Sequence, residues 1–308
     1  MVTMATYQFY QLDVFTDVPL GGNPLAVFPD GTGLDTSTMQ AFAREMNLSE
    51  TTFVFPSENA TRKVRIFTPG AEVPLAGHPT IGTWWLLGEL GEIDLPDEGM
   101  TRITQETGAG ILPVDIFSKK SAPDKVVMVQ TLPEFSGSIE DTARLASCLG
   151  ADQDAVLREP RPQVVDTAIP QLMVPFQYLS DLQALPSGGS GAELTRMVRE
   201  VGSECAMCFC LETVDPNATV HCRMFAPGIG VPEDPATGSA SGALGSYLVR
   251  NGIVKPVDGV AKVVVEQGLE IGRPSRIEVE VSVDETEEIT EVRVGGKAIT
   301  IIKGEVSL

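Results

Sequence analysis

The chain has 308 residues, 43% of them hydrophobic, which suits two domains of roughly 150 residues with a hydrophobic core each. Its 22 Lys and Arg against 42 Asp and Glu give a formal net charge of −20, which argues against nucleic acid and membrane partners. The N-terminal residues lack the features of a signal peptide and the five cysteines are too unevenly spaced for a disulfide framework, so a cytoplasmic protein with reduced thiols is expected.

The first part of the chain alternates strands with one amphipathic helix. Thr36 or Ser37 is available to cap that helix, and Glu50 falls in the short connection to the next strand. The predicted elements are strands 7–15, 25–28 and 51–55 and a helix over 36–47.

The second part repeats this order of elements. A segment rich in Gly and Ser at 182–191 predicts a flexible loop, and an interruption between strand patterns at 118–124 predicts the domain boundary. The domains expected from this are 1–120, completed by the C-terminal strand 298–308, and 121–297. The predicted elements of the second part are strands 126–130, 170–174 and 205–211 and a helix over 192–201.

Two glycine-rich stretches share one pattern. Both read Arg-x-Phe-x-Pro-Gly-x-x-Val-Pro, beginning at Arg65 and Arg223 with a constant offset of 158 residues, and Gly77 aligns with Gly238 after a short insertion. A repeat with a period of half the chain indicates two related domains rather than a solenoid.

An apolar run at helical spacing follows each glycine motif, which places Gly77-His78 and Thr237-Gly238-Ser239 at helix N-termini. A helix N-terminus carries unpaired N–H groups and partial positive charge, and glycine lets a ligand approach the backbone. Ordinary turn and cap chemistry explains either copy alone, whereas the duplication favours an anion site.

Few residues could carry acid/base chemistry. His78 lies in the first glycine motif, where an imidazole could donate a hydrogen bond or relay a proton, whereas His221 lies in a strand beside Cys222. Asp234 lies in the second glycine motif, where complementing the helix dipole is the alternative role. Partial burial of Glu50 could raise its pKa toward that of a useful acid/base, although the residue pattern alone favours a solvated surface glutamate.

No metal or nucleotide motif is found in the sequence. Cys205-Ala-Met-Cys208-Phe-Cys210 lacks a second Cys/His pair at zinc spacing, so a buried strand is favoured there. Walker, Gly-x-Gly-x-x-Gly, Gly-x-Ser-x-Gly and His-Glu-x-x-His motifs are missing, which disfavours nucleotide, hydride-transfer and serine-hydrolase chemistry.

Four motifs occur in order along nearly the whole chain: Gly22-Asn-Pro-Leu-Ala-Val-Phe28, Asn47-Leu-Ser-Glu-Thr-Thr-Phe53, Ala76-Gly-His-Pro-Thr80 and Glu233-Asp-Pro-Ala-Thr-Gly-Ser-Ala240. They resemble the PhzF-like phenazine biosynthesis family, which has the diaminopimelate epimerase-like fold. The resemblance implies an α/β (α+β) class with two pseudo-symmetric domains, each a mixed β-sheet curled around a central helix, and an active site in the cleft between them.

The resemblance also implies roles for individual residues. Glu50 would be the general acid/base that moves a proton between carbon atoms of the substrate, and His78 and Asp234 would assist by hydrogen bonding or proton relay. A homodimer is implied too. The substrate carboxylate would be held by backbone N–H groups and a hydroxyl, from Gly77, Gly238 and Ser239.

The epimerases of this fold use two opposed cysteines, and here those positions hold Ala76 and Thr237. Neither side chain can take a proton as a thiolate does. The consistent interpretation is an isomerase without cofactor or metal that moves a proton within a small carboxylate substrate by one carboxylate. Two alternatives stay open: an amino-acid epimerase or racemase in which Glu50 works with a non-cysteine second base, and a non-catalytic protein that binds small carboxylates.

Overall fold

The computed structural model describes residues 5–188 and 191–308. The first four residues, on which part of the signal-peptide argument rests, and Gly189-Ser190 of the expected loop lie outside the described residues. The chain divides into unit 1, Met1–Val129 with Gly295–Leu308, and unit 2, Gln130–Val294.

Both units are mixtures of strands and helices. The elements of unit 1 are β1 (Thr6–Val14), β2 (Asn23–Phe28), α1 (Thr36–Met46), β3 (Glu50–Phe55), β4 (Arg62–Phe67), β5 (Glu72–Val73), α2 (Gly77–Glu89), β6 (Glu98–Thr107), β7 (Gly110–Lys119), β8 (Ala122–Gln130, whose last residue opens unit 2) and the C-terminal β18 (Ala298–Ser307). Those of unit 2 are β9 (Glu134–Ser138), α3 (Thr142–Leu149), β10 (Gln163–Asp166), β11 (Pro170–Pro175), α4 (Leu179–Gln183), α5 (Ala192–Glu200), β12 (Cys205–Cys210), β13 (Val220–Ala226), β14 (Val231–Asp234), α6 (Gly238–Arg250), β15 (Val260–Gln267), β16 (Ser275–Val283) and β17 (Ile289–Gly296, whose last two residues fall in unit 1).

Strand pairing in unit 1 is mixed. Antiparallel pairs β18–β1 and β1–β2 lead to the parallel pair β2–β3, then to antiparallel β3–β4, parallel β4–β6, and antiparallel β6–β7 and β7–β8. The C-terminal strand thus completes the sheet beside the first strand.

Unit 2 repeats that pairing scheme. Antiparallel β9–β10 and β10–β11 lead to parallel β11–β12, antiparallel β12–β13, parallel β13–β15 and antiparallel β15–β16. The repeated Arg-x-Phe motifs therefore lie on corresponding strands, β4 and β13.

One long helix forms the centre of each unit. Ten of the 13 residues of α2 are buried, and so are ten of the 13 residues of α6. α2 packs against β1, β2, β3, β7 and β18, while α6 packs against β10, β11, β15 and β16. A helix with apolar or small residues on all sides is typical of a buried core helix.

A second layer covers the other face of each sheet. In unit 1 the aromatic side chains Phe28, Phe53 and Phe67 pack with Met39 of α1. In unit 2 the corresponding layer joins β10, β11 and β12 to α3, α4 and α5 through apolar side chains that include Leu172. Because side chains alternate along a strand, the neighbouring residues of these strands face the central helices.

The structure corrects two local predictions in unit 1. Asp35 caps α1, because its side chain accepts the Thr38 N–H at 2.7 Å, whereas Ser37 donates its hydroxyl to Asp35. Glu50 is the first residue of β3 rather than part of the connection. The helix ends as expected at Asn47. The φ of this residue is 50°, in the left-handed region, which asparagine tolerates.

The boundaries of the two units also differ from the expected ones. The segment 118–124 forms the β7–β8 hairpin inside unit 1, since pairing of the two strands outweighs the local turn signal. The division lies at 129/130 and 294/295 instead of 120/121 and 297/298. The expected loop 182–191 begins within the last residues of α4.

Candidate active site

The first turn of α2 has no side-chain cap. Its N-cap residue, Ala76, offers no side-chain hydrogen bond to the helix, unlike Asp35 at α1 and Asp141 at α3. Gly77 and His78 follow as the first two helical residues. Their backbone N–H groups lie at the positive end of the helix dipole, where an anion is stabilised.

Glu50 lies beside this helix start because of the alternation along β3. Two residues further on, the Thr52 hydroxyl is 2.8 Å from the Thr83 hydroxyl of α2, whereas Phe53 faces the outer layer. Glu50 therefore faces the beginning of α2. Its Oε2 lies 3.4 Å from Nε2 of His78, with side-chain exposures of 19% and 8%.

Burial determines the charge of His78. Desolvation lowers its pKa from 6.5 to about 3, so the imidazole is neutral at neutral pH. A neutral imidazole has one N–H donor and one acceptor nitrogen, which suits hydrogen bonding and proton relay. At 3.4 Å the contact between Glu50 and His78 is longer than a well-formed hydrogen bond, as catalytic contacts often are before a substrate is bound.

The first turn of α6 is also left without a side-chain cap. The N-cap residue is Thr237, but its hydroxyl donates to Oδ2 of Asp234 instead of accepting from the helix. Gln267 braces the same turn: its Nε2 donates to the Asp234 carbonyl at 2.7 Å and to the Thr237 hydroxyl at 3.0 Å, while its Oε1 accepts the Thr237 N–H at 3.2 Å.

Two further side chains fix the beginning of α6. Gln130 donates from Nε2 to the carbonyl of Gly238 at 3.1 Å, and Thr167 donates its hydroxyl to the carbonyl of Ser239 at 3.3 Å. Both bonds are accepted by carbonyl groups, so they do not use the N–H groups at the helix start. The site residues of unit 2 thus lie on a braced turn.

The structure brings the sequence-predicted residues together in two groups, one in each unit. Glu50, Gly77 and His78 meet in unit 1. Asp234, Gly238 and Ser239 meet in unit 2 through β14 and α6. The two glycine motifs therefore take the same local structure, a short strand followed by the uncapped start of the central helix.

Sequence analysis missed the glutamines around α6. Gln171 is 1% exposed at the start of β11, and its Oε1 finds no hydrogen-bond partner among the described residues. Met173 and Phe209 share its face, and Phe209 contacts Tyr247 near the end of α6, so Gln171 lies toward the beginning of that helix. Polar residues inside otherwise apolar strands were the signal that could have found it.

The prediction of a buried strand with reduced thiols at 205–210 is confirmed. Cys205, Cys208 and Cys210 are free and buried on β12, and burial raises the pKa of Cys205 and of Cys210 to about 12. These thiols are protonated at neutral pH and are poor ligands. Within residues 5–188 and 191–308, no group of three His, Cys, Asp or Glu side chains could hold a metal ion.

The family model of phenazine biosynthesis-like proteins, PhzC-PhzF, matches residues 12–304 of the chain. The chain belongs to this family. The resemblance of the four motifs is thereby confirmed, and the PhzF-family match covers both units. In the described part of this PhzF-family chain, no helix has the length and apolarity needed to cross a membrane.

Curated relatives of this PhzF-family chain are isomerases by name. It is 36% identical to an uncharacterised isomerase of Clostridium acetobutylicum over 98% of both chains. It is 32% identical to a trans-2,3-dihydro-3-hydroxyanthranilate isomerase of Pseudomonas fluorescens over 98% of this chain and 100% of the relative. The protein is a PhzF-family isomerase.

Solved structures confirm the fold class. A PhzF-family protein of Bacillus anthracis matches with a TM-score of 0.86 at 30% identity, covering 98% of this chain and 99% of that one. A hydroxyproline epimerase from Agrobacterium vitis matches with a TM-score of 0.66 at 13% identity over 100% and 93% of the two chains, which shows a shared fold only. The PhzF-family chain therefore has the mixed α/β, diaminopimelate epimerase-like fold.

Proposed function

We propose that this PhzF-family isomerase moves a proton within a small carboxylate substrate by general acid/base catalysis with one carboxylate, Glu50, and without a cofactor. Glu50 removes a proton from one carbon atom and returns it to another. His78 and Asp234 assist by hydrogen bonding and proton relay. The substrate carboxylate is bound by the helix starts, through Gly77, Gly238 and Ser239.

The observation that carries this proposal is the 3.4 Å contact between Oε2 of Glu50 and Nε2 of His78 at the uncapped start of α2. A carboxylate that is only 19% exposed on its side chain lies next to an imidazole that burial keeps neutral. A neutral neighbour does not remove basicity from the carboxylate by charge pairing, as an arginine would.

Carboxylate binding by the two helix starts is supported by their shared construction. Each first turn lacks a side-chain cap and begins with glycine, which allows close approach of an oxyanion to backbone N–H groups. Ser239 adds a half-buried hydroxyl as the second helical residue of α6. Asp234 receives its assisting role because it is the acidic group nearest the start of α6 along the chain.

The side chains around the helix starts argue against a thiol pair. Ala76 has no acid/base group, and the hydroxyl of Thr237 is donated to Asp234. In the register of β12, Cys205 corresponds to Glu50, but burial raises its pKa to about 12, so it is not a thiolate at neutral pH. A thiol pair is therefore disfavoured, and the proposed base is the carboxylate of Glu50.

The substrate class follows from the curated relative. The name of the Pseudomonas fluorescens protein specifies an amino- and hydroxy-substituted dihydro ring carboxylate. A carboxylate next to ring unsaturation has an acidified C–H, which a glutamate can deprotonate. We extend that class, a small unsaturated carboxylate, to this chain.

The test is solvent exchange. The protein is incubated in D₂O with a panel that contains the relative's named substrate together with cyclic and acyclic amino-acid carboxylates, and deuterium in each recovered compound is located by NMR. Deuterium at a shifted position with a displaced double bond supports the isomerase. Deuterium only at an inverted stereocentre would indicate an epimerase with a second base, and bound ligand without any exchange would overturn the catalytic assignment.

A further inference from the structure

The second histidine of the chain is held between two carboxylates inside unit 2. His221 of β13 is fully buried. Its Nδ1 lies 2.7 Å from Oε1 of Glu266, and its Nε2 lies 2.9 Å from Oε1 of Glu270. Both carboxylates are themselves mostly buried, with side-chain exposures of 6% and 12%.

This geometry determines the protonation of the ring. An ionised carboxylate only accepts hydrogen bonds, so short contacts with two ionised carboxylates call for an N–H on each ring nitrogen, which is the imidazolium cation. Burial alone would lower the pKa of His221, but the hydrogen bonds and negative charges of Glu270 and Glu266 outweigh burial and raise it. His221 is thus a buried cation, in contrast to the neutral His78.

Further ionisable groups lie around His221. Cys210 faces it from β12, and Arg223 lies two residues along its own strand with Nε 4.0 Å from Oε2 of Glu270. Glu233 on β14 is bound by that arginine. The thiol of Cys222, next to His221, has its pKa raised well above the usual range by burial and remains neutral.

Glu266 and Glu270 flank the turn that supports Asp234. Gln267, next to Glu266, donates to the Asp234 carbonyl at 2.7 Å and to the Thr237 hydroxyl at 3.0 Å. Gly268 has a φ of +81°, and a Cβ atom there would come within 2.5 Å of the Pro235 carbonyl oxygen. The turn therefore packs directly on the backbone of 234–235, and His221 clamps it at both ends.

A second chain of contacts reaches Asp234 from the other side. Arg223 forms a bidentate pair with Glu233, at 2.8 Å from Nε and 2.7 Å from Nη2, and both side chains are 2% exposed. Glu233 is the residue before Asp234. Since Glu270 lies between His221 and Arg223, the imidazolium contributes to both supports.

In unit 1 the position that corresponds to His221 holds a cation that is not buried between two carboxylates. Lys63 of β4 corresponds to His221 in the repeat, and its Nζ lies 3.0 Å from Glu106 in a partly exposed pair. Arg65 and Glu72 form the counterpart of the Arg223–Glu233 pair, also at greater exposure. Both units place a cation at this position, but only in unit 2 is it buried and bound by two carboxylates.

We propose that His221 is a positioning residue: as a doubly protonated imidazolium it clamps the 266–270 turn and holds Asp234 and the start of α6 in the geometry that proton transfer needs. The catalytic meaning of this inference rests on the proposed role of Asp234. The structural part does not, because it concerns the conformation of 233–238 alone. The two can therefore be tested separately.

The first experiment measures the protonation of the His221 ring directly. The protein has two histidines, so His78→Asn leaves His221 as the sole imidazole, and ¹⁵N-labelled histidine then reports its protonation by NMR. We expect both ring nitrogens to carry protons at pH 7. A neutral ring at pH 7 would overturn the proposal, and this measurement uses a chain that retains His221.

The second experiment measures the support given to Asp234. In His221→Gln, amide hydrogen exchange over 233–238 should lose at least about tenfold in protection, while α3 (Thr142–Leu149) in the same unit changes little. Lys63→Gln is the matched control, and it should leave 233–238 as in the wild type. Equal loss of protection in α3 and in 233–238 would mean a general structural role and would overturn the proposal.

If His221→Gln does not fold, the wild type gives the same answer by pH. After correction for the intrinsic base-catalysed rate, protection of 233–238 should fall selectively as the pH rises through the raised pKa of His221. A protection pattern that does not change with pH while the NMR signal of the ring titrates would contradict the proposal.

Kinetics then separates this inference from the proposed function. In the deuterium-exchange assay His221→Gln should lower kcat about tenfold or more, move the alkaline limb of the pH profile and change KM little, because the residue acts through Asp234. If Asp234→Asn is inactive but His221→Gln matches the wild type at every pH, the positioning role is wrong. If Asp234→Asn is fully active, the assigned role of Asp234 is wrong while the exchange result for 233–238 still stands.

Discussion

Gln171 occupies in unit 2 the position that Leu25 occupies in unit 1. Leu25 on β2 is opposite Glu50 in the parallel pair β2–β3, and Gln171 on β11 is opposite Cys205 in the parallel pair β11–β12. Both side chains are buried, but one is apolar and the other carries an amide oxygen that has no partner among the described residues. At this position the buried side chain of unit 1 has no polar atom that needs a hydrogen bond. The buried side chain of unit 2 has an acceptor without a partner among the described residues.

Replacing Gln171 with Leu should stabilise the protein. A buried acceptor without a donor costs free energy, and leucine already fills the corresponding site, so we expect the free energy of unfolding to rise by about 1 kcal/mol. Denaturant unfolding measures it. Gln105→Leu is the matched control with the opposite sign: Gln105 is equally buried but bonded to Trp84 and Thr80, so its loss should cost about 1–3 kcal/mol. Destabilisation by Gln171→Leu would show that its amide is bonded in solution.

Glu50→Gln should abolish proton exchange at the substrate carbon while leaving ligand binding nearly intact. Glutamine keeps the shape but cannot take a proton, so the rate should fall by roughly 10²–10⁴-fold or more. Calorimetric titration with a non-reacting carboxylate measures binding. Glu45→Gln, at an exposed position of α1, is the control and should retain the rate. Exchange at the wild-type rate in Glu50→Gln would transfer the role of base to Asp234.

His78 should make the protein lose stability on acidification. Its folded pKa of about 3 lies below the unfolded value of 6.5, so between these pH values the unfolded chain binds a proton that the folded chain does not. Stability should therefore fall as the pH drops through this window, by up to about 1.4 kcal/mol per pH unit. His78→Asn should lose less stability than the wild type between pH 6.5 and pH 4.5, because the other titrating groups are common to both. Equal losses would mean that folded His78 is protonated there.

The two histidines should have opposite linkage to pH. The folded pKa of His221 is raised, so its contribution is fully present below the unfolded pKa of about 6.5 and is lost as the pH rises through the folded pKa. We expect unfolding experiments from pH 6.5 upward to show a loss of stability that His221→Gln removes. A loss of the same size in the variant would assign it to other groups.

Gly82→Ala should destabilise the packing of α2 against β1 and β2. A Cβ atom at Gly82 would lie 2.6 Å from Cδ2 of Leu25 and 2.7 Å from Cγ2 of Val14, both fully buried, so we expect a cost of about 1–3 kcal/mol. Gly70→Ala is the control, because its Cβ would meet nothing closer than 3.8 Å. Thermal unfolding of both variants checks the difference. An unchanged Gly82→Ala would mean that α2 packs less closely than described.

Much of the fold was predictable from local pattern. The repeat of Arg65 and Arg223 predicted two related units, and the structure places both arginines on corresponding strands, each stacked at 5.1 Å on the aromatic ring two residues later. The starts of α2 and α6 at glycine were also correct. These features depend on glycine conformation and on periodicity, which are encoded within a few residues.

The sequence by itself determined the family, the isomerase class, the two-part organisation and the candidate residues Glu50, His78 and Asp234. It could not determine the charges of the two histidines, because a pKa depends on groups that are distant along the chain: burial alone keeps His78 neutral, while Glu266 and Glu270, 45 and 49 residues from His221, keep that ring protonated. It also missed Gln171 and Gln267, since only the packing of strands around α6 buries these two ordinary polar residues. Propensity and repetition are local properties, whereas desolvation and charge pairing arise only when the chain is folded.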